Sequence, residues 1–382
     1  MKFIHTSDWH IGRLFQNISL LEDQLYVLQQ LKAYAVQHEV DALIIAGDVF
    51  DRSVPPAEAV DVLDKFLDEI ISELNIPVIM ISGNHDSAKR LGFGAKQMQQ
   101  AGLHILSDLA DVTTPVIIET ATGPVHFYGL PYHDPVEVRE AFDCDVKTYD
   151  EAHTHLVNLI KDVRVADIPT VLLSHCFIDG ATESDSERPL SIGGADRVSF
   201  QPLEDFDYVA LGHLHGPQYK GKEHIRYSGS LLKYSFSEYK QNKGITLVEM
   251  NDQGLVSTEH LKLTAEKDLR VIEGLLEDLL KQGKTDPRNN DYLLAKLTDK
   301  QDILDPMGQL RKVYPNVLQL ERTQFILSKG SQLVADVSLK RTEQQVFSDF
   351  FEQVIGHDLS EEQTSLLLDV IEQAKDLSEG ST

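Results

Sequence analysis

Leu43-Ile44-Ile45-Ala46-Gly47-Asp48 is the stretch on which the fold turns. Four apolar residues in succession demand burial on both faces, as in a central strand of a covered sheet. Gly47 then frees the backbone to turn sharply at the strand end, and the turn delivers a carboxylate, Asp48. The same construction recurs along the chain. Lys2-Phe3-Ile4-His5 leads to Asp8, Val78-Ile79-Met80-Ile81 to Gly83-Asn84-His85, Val171-Leu172-Leu173 to His175, and Tyr208-Val209-Ala210-Leu211-Gly212 to His213 and His215. Strands that each end in a metal-ligating residue type predict a buried sheet system with its polar chemistry gathered along one edge.

Between these runs, residues 20–37 and 57–74 space their apolar side chains as helices do. Such alternation favours an α/β fold in which helices cover a sheet. Residues 114–132 and 198–250 turn to short alternating strands with Gly and Ser turns. The expectation for residues 1–265 is therefore two stacked sheets flanked by helices, with the ligands on loops along one edge. A second unit is expected over residues 266–341, with strands at 269–272, 292–297 and 317–320 and helices at 275–281 and 307–314, a small α+β domain. Residues 342–382 read as a helical segment of two amphipathic helices, 342–355 and 360–377, the second opened by a capping box of Ser360 with Gln363.

The composition bounds the function. A chain of 382 residues, 42% hydrophobic and 25% charged, suits a globular protein of two or three domains. It has no run of eighteen apolar residues and no basic-then-apolar leader, so neither secretion nor a membrane span is expected. Two cysteines, Cys144 and Cys176, are too few for a disulfide framework and point to a reducing cytoplasm. The net charge of −26 weighs against nucleic acid, but its distribution is uneven. Residues 342–382 carry one basic and ten acidic side chains, whereas residues 266–341 carry thirteen basic and twelve acidic ones. Weak DNA affinity is expected for this chain alone, with a partner supplying most of the grip.

Asp8 and His10 are two apart, so on an extended segment both point to one side while Trp9 faces away. His213 and His215 repeat that spacing. Asp48 can give one oxygen to each of two ions, and Asn84 offers a neutral amide oxygen. Asp8, His10, Asp48, Asn84, His175, His213 and His215 thus read as a ligand set for two adjacent divalent ions. The cations outweigh two carboxylates and a bridging hydroxide, which leaves a positive centre suited to a phosphodiester. Two ions about 3.5–4 Å apart lower the pKa of bridging water and clamp the attacked and departing oxygens, so hydroxide is the expected nucleophile. The mixed ligands suit manganese, iron or zinc better than magnesium. His85 is the candidate acid for the leaving oxygen, with Asp51 expected to hold its other ring nitrogen. His5, His104, His126, His133, His153, His155, His224, His260 and His357 lack this setting and read as core or surface residues.

The series Asp8-x-His10, Gly47-Asp48-x-x-Asp51, Gly83-Asn84-His85-Asp86, His175 and Gly212-His213-x-His215 resembles the calcineurin-like metallophosphoesterases. His5-Thr6-Ser7-Asp8-Trp9-His10-Ile11-Gly12 is similar to the opening of the SbcD family, the nuclease subunits of bacterial SbcCD complexes, and Ser184-Asp185-Ser186-Glu187-Arg188 with Gly193-Gly194 is a further match. The resemblance implies a two-sheet metallophosphoesterase sandwich. It implies one ion on Asp8, His10, Asp48 and His215 and another on Asp48, Asn84, His175 and His213. It also implies manganese-dependent DNA cleavage, exonuclease on duplex ends and endonuclease on single strands and hairpins, in repair, recombination and replication. The family works with an SbcC-type coiled-coil ATPase, as a dimer of nuclease chains within a heterotetramer. The unit from Glu266 would then cap the site and contact DNA, and the terminal helices would bind the coiled-coil base through Phe347, Phe350, Phe351, Val354 and Ile355. Two alternatives stay open: a stand-alone phosphoesterase acting on a nucleotide or phosphoprotein, and a scaffold without metals. The tail helices could equally pack on their own domain, and residues 179–198 could be a plain connection.

Overall fold

The computed structural model describes residues 1–121, 123–187 and 196–322, together with 348, 360, 363, 364, 366–368 and 370. The apolar runs assemble into two six-stranded sheets. One has the order Gly254–Lys262, Gly244–Asn251, Lys2–Thr6, Ala42–Ala46, Val78–Ile81, Leu103–Leu106, and its last four strands are parallel. The other has the order Gln218–Lys220, Lys222–Tyr227, Tyr208–Gly212, Thr170–His175, Gly123–Leu130, Val116–Thr120, with its four central strands parallel.

Side chains alternate between the faces of a strand, and that alternation builds the layers. Ala42, Ile44, Ile79 and Ile81 turn inward and meet Val171, Leu173, Tyr208 and Ala210 of the opposite sheet. Leu43, Ile45, Val78 and Met80 turn outward, under helices Leu21–Gln37 and Ala57–Asp68. Leu172, Val209 and Leu211 do the same beneath Pro135–Phe142 and Tyr149–Val163, two helices that each begin with a capping box, Asp134 with Glu137 and Thr148 with Glu151. The helix expected over 57–74 is α-helical to Asp68 and then widens into a π-turn, Glu69–Glu73. Glu69 and Glu73 both pair with Lys32 of the neighbouring helix, at 3.0 and 3.1 Å.

The unit anticipated as α+β alternates strand and helix throughout: Leu269–Gly274, Leu276–Gly283, Tyr292–Leu297, Pro306–Arg311, Val317–Arg322. Its sheet is wholly parallel, because each helix carries the chain back to the starting edge. Tyr292 ties it to the larger body by donating its hydroxyl to buried Asp23 on the first helix, at 2.8 Å. Farther along, the amide of Gln363 donates to Ser360 Oγ at 3.2 Å and the amide of Ser360 to Gln363 Oε1 at 2.9 Å, so the capping box is present. Arg188, Gly193, Gly194, Phe347, Phe350, Phe351, Val354, Ile355 and His357 lie outside the described residues. Among the described residues no helix is long and apolar enough to cross a membrane.

Ile44 is fully buried between the sheets. Ile44→Ala is expected to cost about 2–5 kcal/mol of stability, measured as a lower urea midpoint at unchanged slope; an unaltered midpoint would contradict this packing.

Candidate metal centre

Five parallel strands release their chains at one edge, and the donors meet there. Beyond its strand the amide of Asp8 donates to the Gly47 carbonyl at 3.1 Å and that of His10 to the Asp48 carbonyl at 2.9 Å, so neighbouring strands go on pairing past their ends. Asp8 (φ 52), His10 (φ 46), Asp48 (φ 50) and His213 (φ 107) all adopt positive φ. For residues other than glycine this costs about 1–3 kcal/mol each and persists only where surrounding contacts over-determine it. Those contacts are present. The His213 amide donates to both oxygens of Asp8, at 3.0 and 3.1 Å, and the His85 amide to Asp48 Oδ1 at 2.8 Å. Gly47 has φ +89, and a Cβ there would lie 2.4 Å from His175 Nδ1, so the turn needs glycine for shape as well as for conformation.

All seven predicted ligands come together, and all but Asn84 are no more than 4% exposed. Asp48 Oδ2 lies 3.6 Å from His10 Nε2 and 3.5 Å from His175 Nε2, so one oxygen faces both halves of the site. His10 Nε2 is 3.1 Å from His215 Nε2. Asn84 Oδ1 is 3.0 Å from His175 Nε2 and 3.2 Å from His213 Nδ1. The donor atoms of Asp8, His10 and His215 lie within 4.8 Å of one another, as do those of Asp8, Asp48 and His175. Asn84 Nδ2 and His10 Nδ1 are buried with no hydrogen-bond partner. The lone pairs that converge here from buried imidazole and carboxylate donors are costly unless cations sit among them. The donor set fits two divalent ions. His175 is already oriented for one, since its Nδ1–H donates to the Ala46 carbonyl at 2.8 Å and turns Nε2 toward Asn84 and Asp48.

The electrostatics carry the same message. Burial raises the Asp8 carboxyl to about 6. Burial also works to lower His175, but the adjacent Asp48 carboxylate outweighs it and lifts the imidazole to about 9. Burial works to raise Asp48, yet His175 and His10 outweigh it and hold the carboxyl well below the usual range. Protons, in the absence of cations, take up the charge.

His85 and Asp51 lie beside the donors, but not as expected. The expectation that the Asp51 carboxylate holds His85 is corrected: His85 Nδ1 donates to the Asp51 main-chain carbonyl at 2.7 Å. The carboxylate pairs instead with Arg13, at 3.1 Å, and lies 3.9 Å from His10 Nδ1 and within 4.8 Å of a His85 ring nitrogen. Trp9 does face away, packing edge-on to Phe66 at 5.3 Å.

Comparison with known proteins agrees with this geometry. Residues 1–217 match the model of the calcineurin-like phosphoesterases, and residues 266–354 match that of the type 5 capsule protein repressor C-terminal domain. The SbcD subunit of the SbcCD nuclease of Staphylococcus epidermidis is 36% identical over 366 residues, 95% of this chain and 96% of that protein. The chain belongs to the SbcD family of calcineurin-like phosphoesterases. Two solved structures are more distant: TT1561 of Thermus thermophilus (13% identity, 68% of this chain and 98% of that one, TM-score 0.39) and a dimetal phosphatase from Danio rerio (12%, 70% and 99%, TM-score 0.39).

Several residues of this SbcD-family site escaped the sequence reading. Asp86 accepts from the amides of Gly83 (2.9 Å), Val49 (3.1 Å) and Phe50 (2.9 Å), stitching two ligand loops together. Its place within Gly83-Asn84-His85-Asp86 was the available signal, since a short carboxylate after a turn often caps nearby amides. Gln24, a helix residue, donates to the carbonyls of Trp9 (3.0 Å) and His10 (2.7 Å) and accepts from the Gly12 amide (3.0 Å). Nothing local marks it. The loop carrying Ser184, Ser186 and Glu187 also reaches the ligands, with Glu187 Oε1 accepting from the His215 amide at 2.8 Å.

Because Asp48 holds His175 protonated when no ion is bound, cation uptake near pH 7 is expected to release a proton, and manganese affinity to rise as pH climbs toward the His175 value. Calorimetric titration in two buffers of different protonation enthalpy measures the release; identical heats in both would refute it.

Proposed function

We propose that this chain is the metal-dependent DNA nuclease subunit of an SbcCD-type complex, hydrolysing phosphodiesters at the centre described above. The observation that carries the reading is the match along nearly the whole chain to the SbcD subunit of an SbcCD nuclease, 36% identical over 95% of its length. A full donor set at the matching positions supports it. The substrates we assign are duplex ends for exonuclease action and single strands and hairpins for endonuclease action, in DNA repair, recombination and replication.

Asp8, His10, Asp48 and His215 would hold one ion, and Asp48, Asn84, His175 and His213 the other, with manganese the metal we favour for this imidazole, carboxylate and amide mixture. Two bound divalent ions supply the positive charge that polarises the phosphate and the acidity that makes water a nucleophile at neutral pH. The remaining work falls to the chain. The strained, hydrogen-bonded loops hold the donors before substrate arrives, so little reorganisation accompanies reaction. His85, its Nδ1–H fixed by the Asp51 carbonyl, would as the imidazolium pass its Nε2 proton to the departing sugar oxygen and be left neutral. Asp51, beside His10 and Arg13, orients that corner of the site.

The parallel unit from residue 266 is the part we assign to capping the site and touching DNA. Residues 342–382 are the segment we assign to an SbcC-type ATPase, in a heterotetramer built on a dimer of this chain. A cytoplasmic setting is consistent with two free cysteines, Cys176 buried and Cys144 half-buried.

The manganese-loaded chain should degrade a linear duplex, and turnover of only a small phosphodiester would overturn the nuclease reading in favour of a stand-alone phosphoesterase. His85→Gln is expected to keep its bound metal and lose most of its cleavage, by about 10²–10⁴-fold; a rate equal to the parent's would remove His85 from the mechanism.

A further inference from the structure

We infer that Ser186 is a positioning residue for the metal ligand His215: its hydroxyl, fixed by buried Glu238, selects the imidazole tautomer that turns Nε2 toward the ions. The inference rests on the two-ion reading above and adds to it a dependence on the segment Ser184–Glu187.

That segment is seated by several independent bonds. Glu187 Oε2 accepts from the amide and the hydroxyl of Ser184, both at 2.6 Å, while its Oε1 accepts from the His215 amide at 2.8 Å. The amide of Asp185 donates to Ser237 Oγ at 3.0 Å, and Arg13 donates to the Ser186 carbonyl at 3.3 Å. Together they place Ser186 Oγ 2.6 Å from His215 Nδ1.

The direction of that bond follows from counting protons. A serine hydroxyl has one to give. Ser186 Oγ also lies in short hydrogen-bond contact with Glu238 Oε1 and 3.0 Å from Ser184 Oγ, whose own proton goes to Glu187 and so leaves none for Ser186. Glu238 is fully buried and pairs with Lys243 at 2.5 Å. Lys243 is itself buried, and donates to the His215 carbonyl, Ser230 Oγ and Gln241 Oε1, each at 2.8 Å. With that ammonium against its Oε2, Glu238 is the anionic half of a buried ion pair. An ionised carboxylate only accepts, so the serine proton lies on the Glu238 side. Toward His215, Ser186 then has only a lone pair. His215 must meet it with Nδ1–H, which leaves the lone pair on Nε2, the nitrogen 3.1 Å from His10 Nε2 among the donors. The opposite arrangement would face two acceptors with no proton between them and aim an N–H at the cations. His175 receives the same instruction from a main-chain carbonyl; His215 takes it from a side chain some distance along the chain, so this half of the centre is complete only when the segment is seated.

The test uses the full-length, metal-free protein titrated with manganese chloride in a calorimeter. The parent chain is expected to bind two ions. In Ser186→Ala one ion should bind about 10–100-fold more weakly and the other as before, and Ser186→Thr, which keeps the hydroxyl, should restore most of the loss. Nitrogen NMR of the metal-free parent should find His215 as the Nδ1–H tautomer, a readout that needs neither variant folding nor activity. Affinities for both ions in Ser186→Ala equal to the parent's, loss in Ser186→Thr matching that in Ser186→Ala, or an Nε2–H tautomer in the parent would each overturn the role of Ser186 while leaving the two-ion reading intact. A parent chain that binds fewer than two ions would overturn both.

Discussion

One carboxylate oxygen, Asp48 Oδ2, governs the arrangement of the rest. It sits 3.6 Å from one imidazole and 3.5 Å from another, on a side chain only 2% exposed. A charge so placed is tolerable only with opposite charge on both sides, and imidazole, amide and carboxylate donors stand on each side to share cations with it. The two sheets can be read as the means of holding that oxygen in place. Their inner faces are apolar and close-packed, and the parallel strands all deliver their ends to the edge where Asp48 lies.

Holding the donors is costly locally and stabilised globally. Four of the seven candidate donors have positive φ, a strain that an exposed loop would relax. Here each strained residue is caught in hydrogen bonds from a different part of the chain: Asp8 by the His213 amide, the Asp48 carbonyl by the His10 amide, the Asp48 side chain by the His85 amide. Asp86 and Gln24 extend this outward, binding the loops to each other and to the first helix. The donors are thereby preorganised for charge that develops at a phosphate.

Around the core of the site lie two devices of similar logic. His175 and His215 each need Nδ1–H so that Nε2 faces inward. The first obtains it from the Ala46 carbonyl in the sheet itself, and the second from Ser186, backed by Glu238 and Lys243. A backbone partner is as rigid as the strand that bears it; a loop partner is present only when the loop is. The two halves of the centre therefore differ in how firmly they are built, though their donors are alike.

The apolar runs and the residues that end them marked the donor-bearing strands, the helices that cover the first sheet and all seven donors, because burial on two faces and a polar donor at a strand end are local properties that any sequence must display to have them; the helices Pro135–Phe142 and Tyr149–Val163 over the second sheet were not read. The strand–helix alternation after residue 266 was equally legible, whereas its wholly parallel sheet was not, since strand direction depends on where each helix returns the chain. Asp51 was placed correctly beside His85 but given the wrong atom: spacing brings a residue near, and only packing against Arg13 decides which way its carboxylate turns. Gln24, Glu238 and Lys243 left no mark in the sequence at all. Their partners lie on other elements, so the hydrogen bonds that set tautomers and hold strained loops exist only once the sheets have closed around them.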